Sequence, residues 1–178
     1  WWTFRVFGHD RVRVLDGGLP KWVAEGHPVE TGAVSRAKPA RFVADFRPGL
    51  VRALDQILPD LAAGRQLVDA RPAARFQGEA PEPRPGLRAG HIPGARSLPF
   101  PAVLNADGTL KSEDDLAAAF EAAGVDLTGQ ITTTCGSGLT AAILALAAVR
   151  AGNPNVAVYD GSWAEWGASD GPIMTGAA

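Results

Sequence analysis

Short apolar runs separated by stretches of helical length set the rhythm of this chain. The runs at 66–70, 95–98, 131–134 and 156–159 are rich in aliphatic or β-branched residues and read as strands, and 41–46 alternates in the same way. Between them the pattern predicts helices at 51–63, at 113–123 behind a Ser112 cap, at 140–151, and a short one at 163–167. Strand and helix in alternation predict an α/β fold, an open and mostly parallel sheet with helices on both faces. Upstream, 11–15 alternates like a short strand, Asp16-Gly17-Gly18 is a turn, and 19–25 has a proline near its start and Gly26 at its end, as a short helix would. Residues 1–28 therefore read as the tail of one α/β unit. Residues 29–38 lack apolar periodicity and read as a linker, and 39–178 as a second unit.

Composition narrows the partners. A chain of 178 residues can bury about 70% of its unfolded surface in an ordinary soluble core. Seventeen basic against nineteen acidic residues leave a charge of −2 with no basic stripe, which argues against nucleic acid and anionic membranes. No apolar stretch approaches the roughly 18 residues of a membrane span. One cysteine excludes an internal disulfide and suits a reducing, cytoplasmic setting. The chain opens on Trp1 and its single methionine is Met174, so it reads as a fragment or processed product. The apolar cluster of Trp1, Trp2, Phe4, Val6 and Phe7 lacks a signal-peptide layout and reads as the end of a core helix that packs against upstream material.

The single cysteine, Cys135, stands where the run Ile131-Thr132-Thr133-Thr134 gives way to Gly136-Ser137-Gly138-Leu139-Thr140 and an apolar helix. Backbone N–H groups of such a strand-to-helix turn converge on the sulfur, and the helix adds about half a positive charge, an arrangement that stabilises an anionic nucleophile. In open parallel sheets ligands sit at this carboxyl edge. Two other stretches stand out. A proline-stiffened loop, Pro81-Glu82-Pro83-Arg84-Pro85-Gly86, follows Arg75-Phe76 and can aim a guanidinium. Gly90-His91-Ile92-Pro93-Gly94-Ala95 is a compact turn whose histidine reads as structural, bonded to backbone or to a carboxylate such as Asp69.

Asp69-Ala70-Arg71, Gly90-His91-Ile92-Pro93-Gly94-Ala95 and Cys135-Gly136-Ser137-Gly138-Leu139-Thr140-Ala141 together resemble the rhodanese sulfurtransferases. The resemblance implies a rhodanese-like sheet over 39–178 and, from Val14-Leu15-Asp16-Gly17-Gly18-Leu19-Pro20-Lys21-Trp22, the end of a preceding non-catalytic rhodanese domain whose remainder is a missing partner. A Cys-Gly-Ser-Gly-Val-Thr loop goes with 3-mercaptopyruvate sulfurtransferases and Cys-Arg-Lys-Gly-Val-Thr with thiosulfate sulfurtransferases; this chain has the first form, with Leu139 for the valine. Implied roles follow residue by residue. Cys135 becomes a persulfide, with the backbone of Gly136, Ser137, Gly138, Leu139 and Thr140 as its cradle; Arg75 and Arg84 hold the donor's carboxylate and keto group; and Ser137 supports proton transfer with groups from the missing domain. The donor would be 3-mercaptopyruvate, or thiosulfate as the alternative, and the acceptor a thiol such as thioredoxin, or cyanide. No cofactor is implied.

A cysteine phosphatase would need an arginine six positions after its nucleophile, where this chain has Ala141. Three histidines at 9, 27 and 91 and one cysteine lack metal-ligand spacing. The intact Cys135 argues against a binding module that has kept the fold and lost its chemistry, whereas a non-catalytic sulfur carrier would keep Cys135 without needing Arg75 and Arg84 together.

Overall fold

The computed structural model describes residues 1–33 and 38–177. Of the expected linker, 34–37 lie outside the described residues, as does Ala178. Five strands form one parallel sheet: β1 (Val51–Arg52), β2 (Gln66–Asp69), β3 (Ala95–Ser97), β4 (Ile131–Thr134) and β5 (Val156–Tyr159), in the order β1-β5-β4-β2-β3. The central strand β4 is buried along its whole length, as are all four residues of β5, because helices cover both faces and leave no solvated side to alternate toward.

One face carries α5 (Glu113–Ala122) and α6 (Leu139–Arg150), packed on Val68, Ile131 and Val158. The other carries α3 (Leu54–Ala62), α4 (Ala73–Phe76) and α7 (Ser162–Trp166), whose Ile57, Phe76, Trp163 and Trp166 pack with Leu67 and Tyr159. Ser112 Oγ accepts from the Asp115 N–H and caps α5. In α6, buried Ala141, Ala145, Ala147 and Ala148 let the helix lie close to the sheet, so its N-terminus is held firmly above β4.

Two expected strands are absent from the described residues. The alternating segment 41–46 forms no ladder; its neighbour in space is α1 (Trp2–Val6), where the Asp45 N–H donates to the Phe7 carbonyl at 3.0 Å and the Arg47 N–H to that of Val6 at 2.7 Å. The open edge of β5 is taken instead by Val51 and Arg52, paired with Val158 and Tyr159, and this delays the start of α3 to Leu54. Alternation alone could not tell which run finds that edge. Residues 11–15 are also irregular, and α2 (Gly18–Ala24) follows them. Trp2 packs against the α6 side of the core and Val6 is buried, whereas Phe4 and Phe7 stay exposed.

Candidate active site

Cys135 directly follows β4 and is buried, with the Ser137 N–H pointing to its Sγ at 3.4 Å. The loop is tied down from beneath. Trp163 and Ala164, in the first turn of α7, donate to the Cys135 and Gly136 carbonyls at 2.8 and 3.0 Å. Ser162 Oγ accepts from the Cys135 N–H at 3.2 Å and the Gly138 N–H at 3.0 Å while donating to the Tyr159 carbonyl at 2.8 Å. Ser162 is fully buried and adopts φ 51°, a conformation other non-glycine residues among those described avoid. The Gly138 N–H, expected in the ring around the sulfur, is thus directed at Ser162 instead. Gly138 itself has φ +81° at the cap of α6, and a Cβ there would lie 2.9 Å from Asp160 Oδ1. Ser137 and Leu139 are exposed at the mouth of the loop, and Thr140 is half-buried.

Arg75 lies on α4, a single helical turn inside a stretch expected to be loop, and a Cβ placed on Gly136 would meet Arg75 Nη2 at 3.1 Å. The guanidinium therefore faces the cysteine loop directly across a glycine. What fixes α4 is His91. Its ring stacks on Phe76 at 3.8 Å, and because a carbonyl can only accept, its Nδ1 carries the proton donated to the Phe76 carbonyl at 2.9 Å. Asp69 is not its partner. That carboxylate, level with Thr134 and Ser97 in the sheet, is taken up by the buried Arg71, through the backbone N–H at 2.9 Å, Nε at 2.9 Å and Nη2 at 2.7 Å.

Arg71 also donates to the Gly90 carbonyl and to Glu82 Oε1, both at 2.8 Å, and lies 4.1 Å over the Trp163 ring. Glu82 in turn receives Arg75 through Nε and Nη2. Asp69, Arg71, Glu82 and Arg75 thus form a ladder of alternating charge from the sheet edge to the cysteine loop. Arg84, two residues beyond Glu82, is exposed and makes no hydrogen bond or ion pair among the described residues. Sequence reasoning assigned no role to Arg71, Glu82 or Ser162. Their signals were present but faint: Arg71 beside Asp69, an acid between two prolines, and a serine behind Asp160-Gly161 at a strand end. A cleft of about 690 Å³ lies elsewhere, between Leu15, Leu110 and the Ile143–Leu146–Arg150 side of α6.

Residues 53–169 match the family described as Rhodanese-like domain. The chain is 46% identical to thiosulfate/3-mercaptopyruvate sulfurtransferase 2 of Arabidopsis thaliana, covering 93% of this chain and 55% of that one. It is 49% identical to the thiosulfate sulfurtransferase of Bos taurus, covering 93% and 56%. Among solved structures, SseA from Escherichia coli, described for the rhodanese fold and catalytic mechanism of 3-mercaptopyruvate sulfotransferases, superposes with a TM-score of 0.79 at 40% identity over 92% of this chain and 60% of that one. The chain spans about 55% of the length of the curated relatives it matches. With the parallel sheet, the loop at the end of its central strand and a family match across 53–169, the chain belongs to the rhodanese family.

Proposed function

We propose that this chain is the persulfide-forming part of a sulfurtransferase that takes sulfur from 3-mercaptopyruvate. The observation that carries the reading is the Arg75 guanidinium set across Gly136 from Cys135, next to a loop whose Gly136-Ser137 pair supplies no charge of its own. A carboxylate held by Arg75, with Arg84 joining from its exposed loop, would present the donor's sulfur to the cysteine. The Cys135 thiolate attacks that sulfur and an S–S bond forms. The C–S bond breaks, its electron pair leaving on the enolate of pyruvate, which then takes a proton. A second thiol attacks the outer sulfur, carries it away and restores Cys135. Support for the cradle comes from the N–H groups of Ser137 and of the first turn of α6. In this reading 39–178 is the catalytic unit and 1–28 the tail of a preceding rhodanese domain, which would supply the partners of Ser137. Asp69 and His91 act structurally, by holding Arg71 and α4.

Relatives named for thiosulfate favour that donor as the second reading. Intact mass spectrometry of the full-length protein, offered each donor separately, decides between them. A gain of one sulfur on Cys135 mainly from 3-mercaptopyruvate, with matching pyruvate release, is the expected result. Loading mainly from thiosulfate selects the second reading, and loading from neither indicates a carrier or binding module.

A further inference from the structure

The side chain of Glu82 is only 2% exposed, yet it lies between two guanidinium groups that meet the same carboxylate from different elements. Arg71, 1% exposed, is already neutralised by Asp69; Arg75, 21% exposed, is the outermost member and the one facing Gly136. Counted together, Asp69, Arg71, Glu82 and Arg75 carry no net charge. The loop at Gly136-Ser137 adds none, and Arg84 makes no ion pair among the described residues. Glu82 uses the Nε and Nη2 side of Arg75, and the Nη1 amino group, which makes no hydrogen bond among the described residues, can donate to a ligand.

We propose that Glu82 determines donor specificity by cancelling the charge of Arg75 while preserving its orientation, so that the site binds a monoanionic carboxylate in preference to a dianion such as thiosulfate. The proposal rests on the reading of Cys135 as sulfur acceptor and Arg75 as anion contact. A dianion gains one more unit of attraction than a monoanion when the carboxylate is neutralised. One unit of charge across about 6 Å, at the effective dielectric of a partly exposed site, changes affinity about tenfold or more.

The test uses Glu82→Gln and Glu82→Asp in the full-length protein, with initial rates for thiosulfate and 3-mercaptopyruvate at several salt concentrations. In Glu82→Gln the ratio of kcat/KM for thiosulfate to that for 3-mercaptopyruvate should rise about tenfold or more, chiefly through the KM for thiosulfate, and the gain should shrink as salt screens it. Glu82→Asp keeps the charge and should keep the natural ratio even if both rates fall. A ratio within about twofold of the natural one in Glu82→Gln, or an equal shift in Glu82→Asp, overturns the proposal. Should the glutamine variant fail to fold, competitive inhibition of the unmodified protein serves: sulfate should inhibit less strongly than pyruvate, and stronger inhibition by sulfate overturns the idea. A natural protein that loads sulfur from neither donor defeats the functional reading instead, so the two failures are separable.

Discussion

Ser162 does for the cysteine loop what a backbone turn alone could not. Its hydroxyl uses both acceptor positions on the Cys135 and Gly138 N–H groups and its proton on the Tyr159 carbonyl, so removing it leaves two buried donors without partners. Ser162→Ala is therefore expected to cost about 2–4 kcal/mol and to lower the yield of Cys135 persulfide, since the loop loses its anchor. Ser162→Gly loses the same bonds but relieves the φ of 51°, so it should be more stable than the alanine variant by about 1 kcal/mol. Urea unfolding of both, beside mass spectrometry of the persulfide, checks the order; an alanine variant as stable as the parent would show that the hydroxyl holds nothing. The place of Cys135 at a strand end was legible from its neighbours, because a β-branched run gives way there to two glycines and an apolar helix. Ser162 was not, because its role depends on a contact 27 residues away that no local pattern encodes.

Among the elements, α6 and α4 do different work. α6 is long, apolar nearly all round and readable from sequence to within a residue at each end, and its burial fixes the N-terminus from which the cradle projects. Leu144, fully buried in the α6 face of the core, should cost about 2–5 kcal/mol when cut to alanine. Ser112→Ala, which only removes the cap of α5, should cost about 1 kcal/mol and leave sulfur transfer unchanged, because α5 touches the site only through the core. Guanidinium melts and steady-state rates on the two variants test that contrast; loss of activity in Ser112→Ala would mean that α5 stability reaches the loop. α4 is the opposite case. Four residues behind Pro72 carry too little periodicity to be seen as a helix, and its position is set by His91 from a later turn. The expected strand at 41–46 failed for a related reason. A strand exists only where a partner edge is open, and that edge went to Val51 and Arg52.

At the scale of the whole molecule, the aromatic cluster behind α7 ties stability to pH. Burial first, and then the hydrogen bond from its hydroxyl to Glu165 at 2.8 Å, push the Tyr159 phenol upward from its ordinary value near 10.0. Below that value the phenol is protonated folded and unfolded alike, and its contribution is fully present. Above it the unfolded chain releases the proton while the folded one retains it, so stability is lost as pH rises, by up to about 1.4 kcal/mol per pH unit. Tyr159 is the only tyrosine of the chain, so phenolate absorbance should stay absent in native protein at pH 11 and emerge with unfolding. In Tyr159→Phe the alkaline slope of the unfolding free energy should flatten by that amount; an unchanged slope, or phenolate in the folded state, would contradict the assignment. On the opposite side, Phe4, Phe7, Phe42 and Phe46 form an exposed aromatic edge, with His9 between Phe4 and Phe42. The sequence by itself determined the strand and helix alternation, the parallel sheet and the place of Cys135, because periodicity, turn residues and a cysteine at a strand end are local properties. Only the tertiary structure decided which run becomes the edge strand, that Ser162 anchors the loop, and that Arg75 faces Gly136 already paired with Glu82. Those outcomes depend on which distant groups meet, and buried charges and N–H groups take whatever partner the completed fold puts within reach.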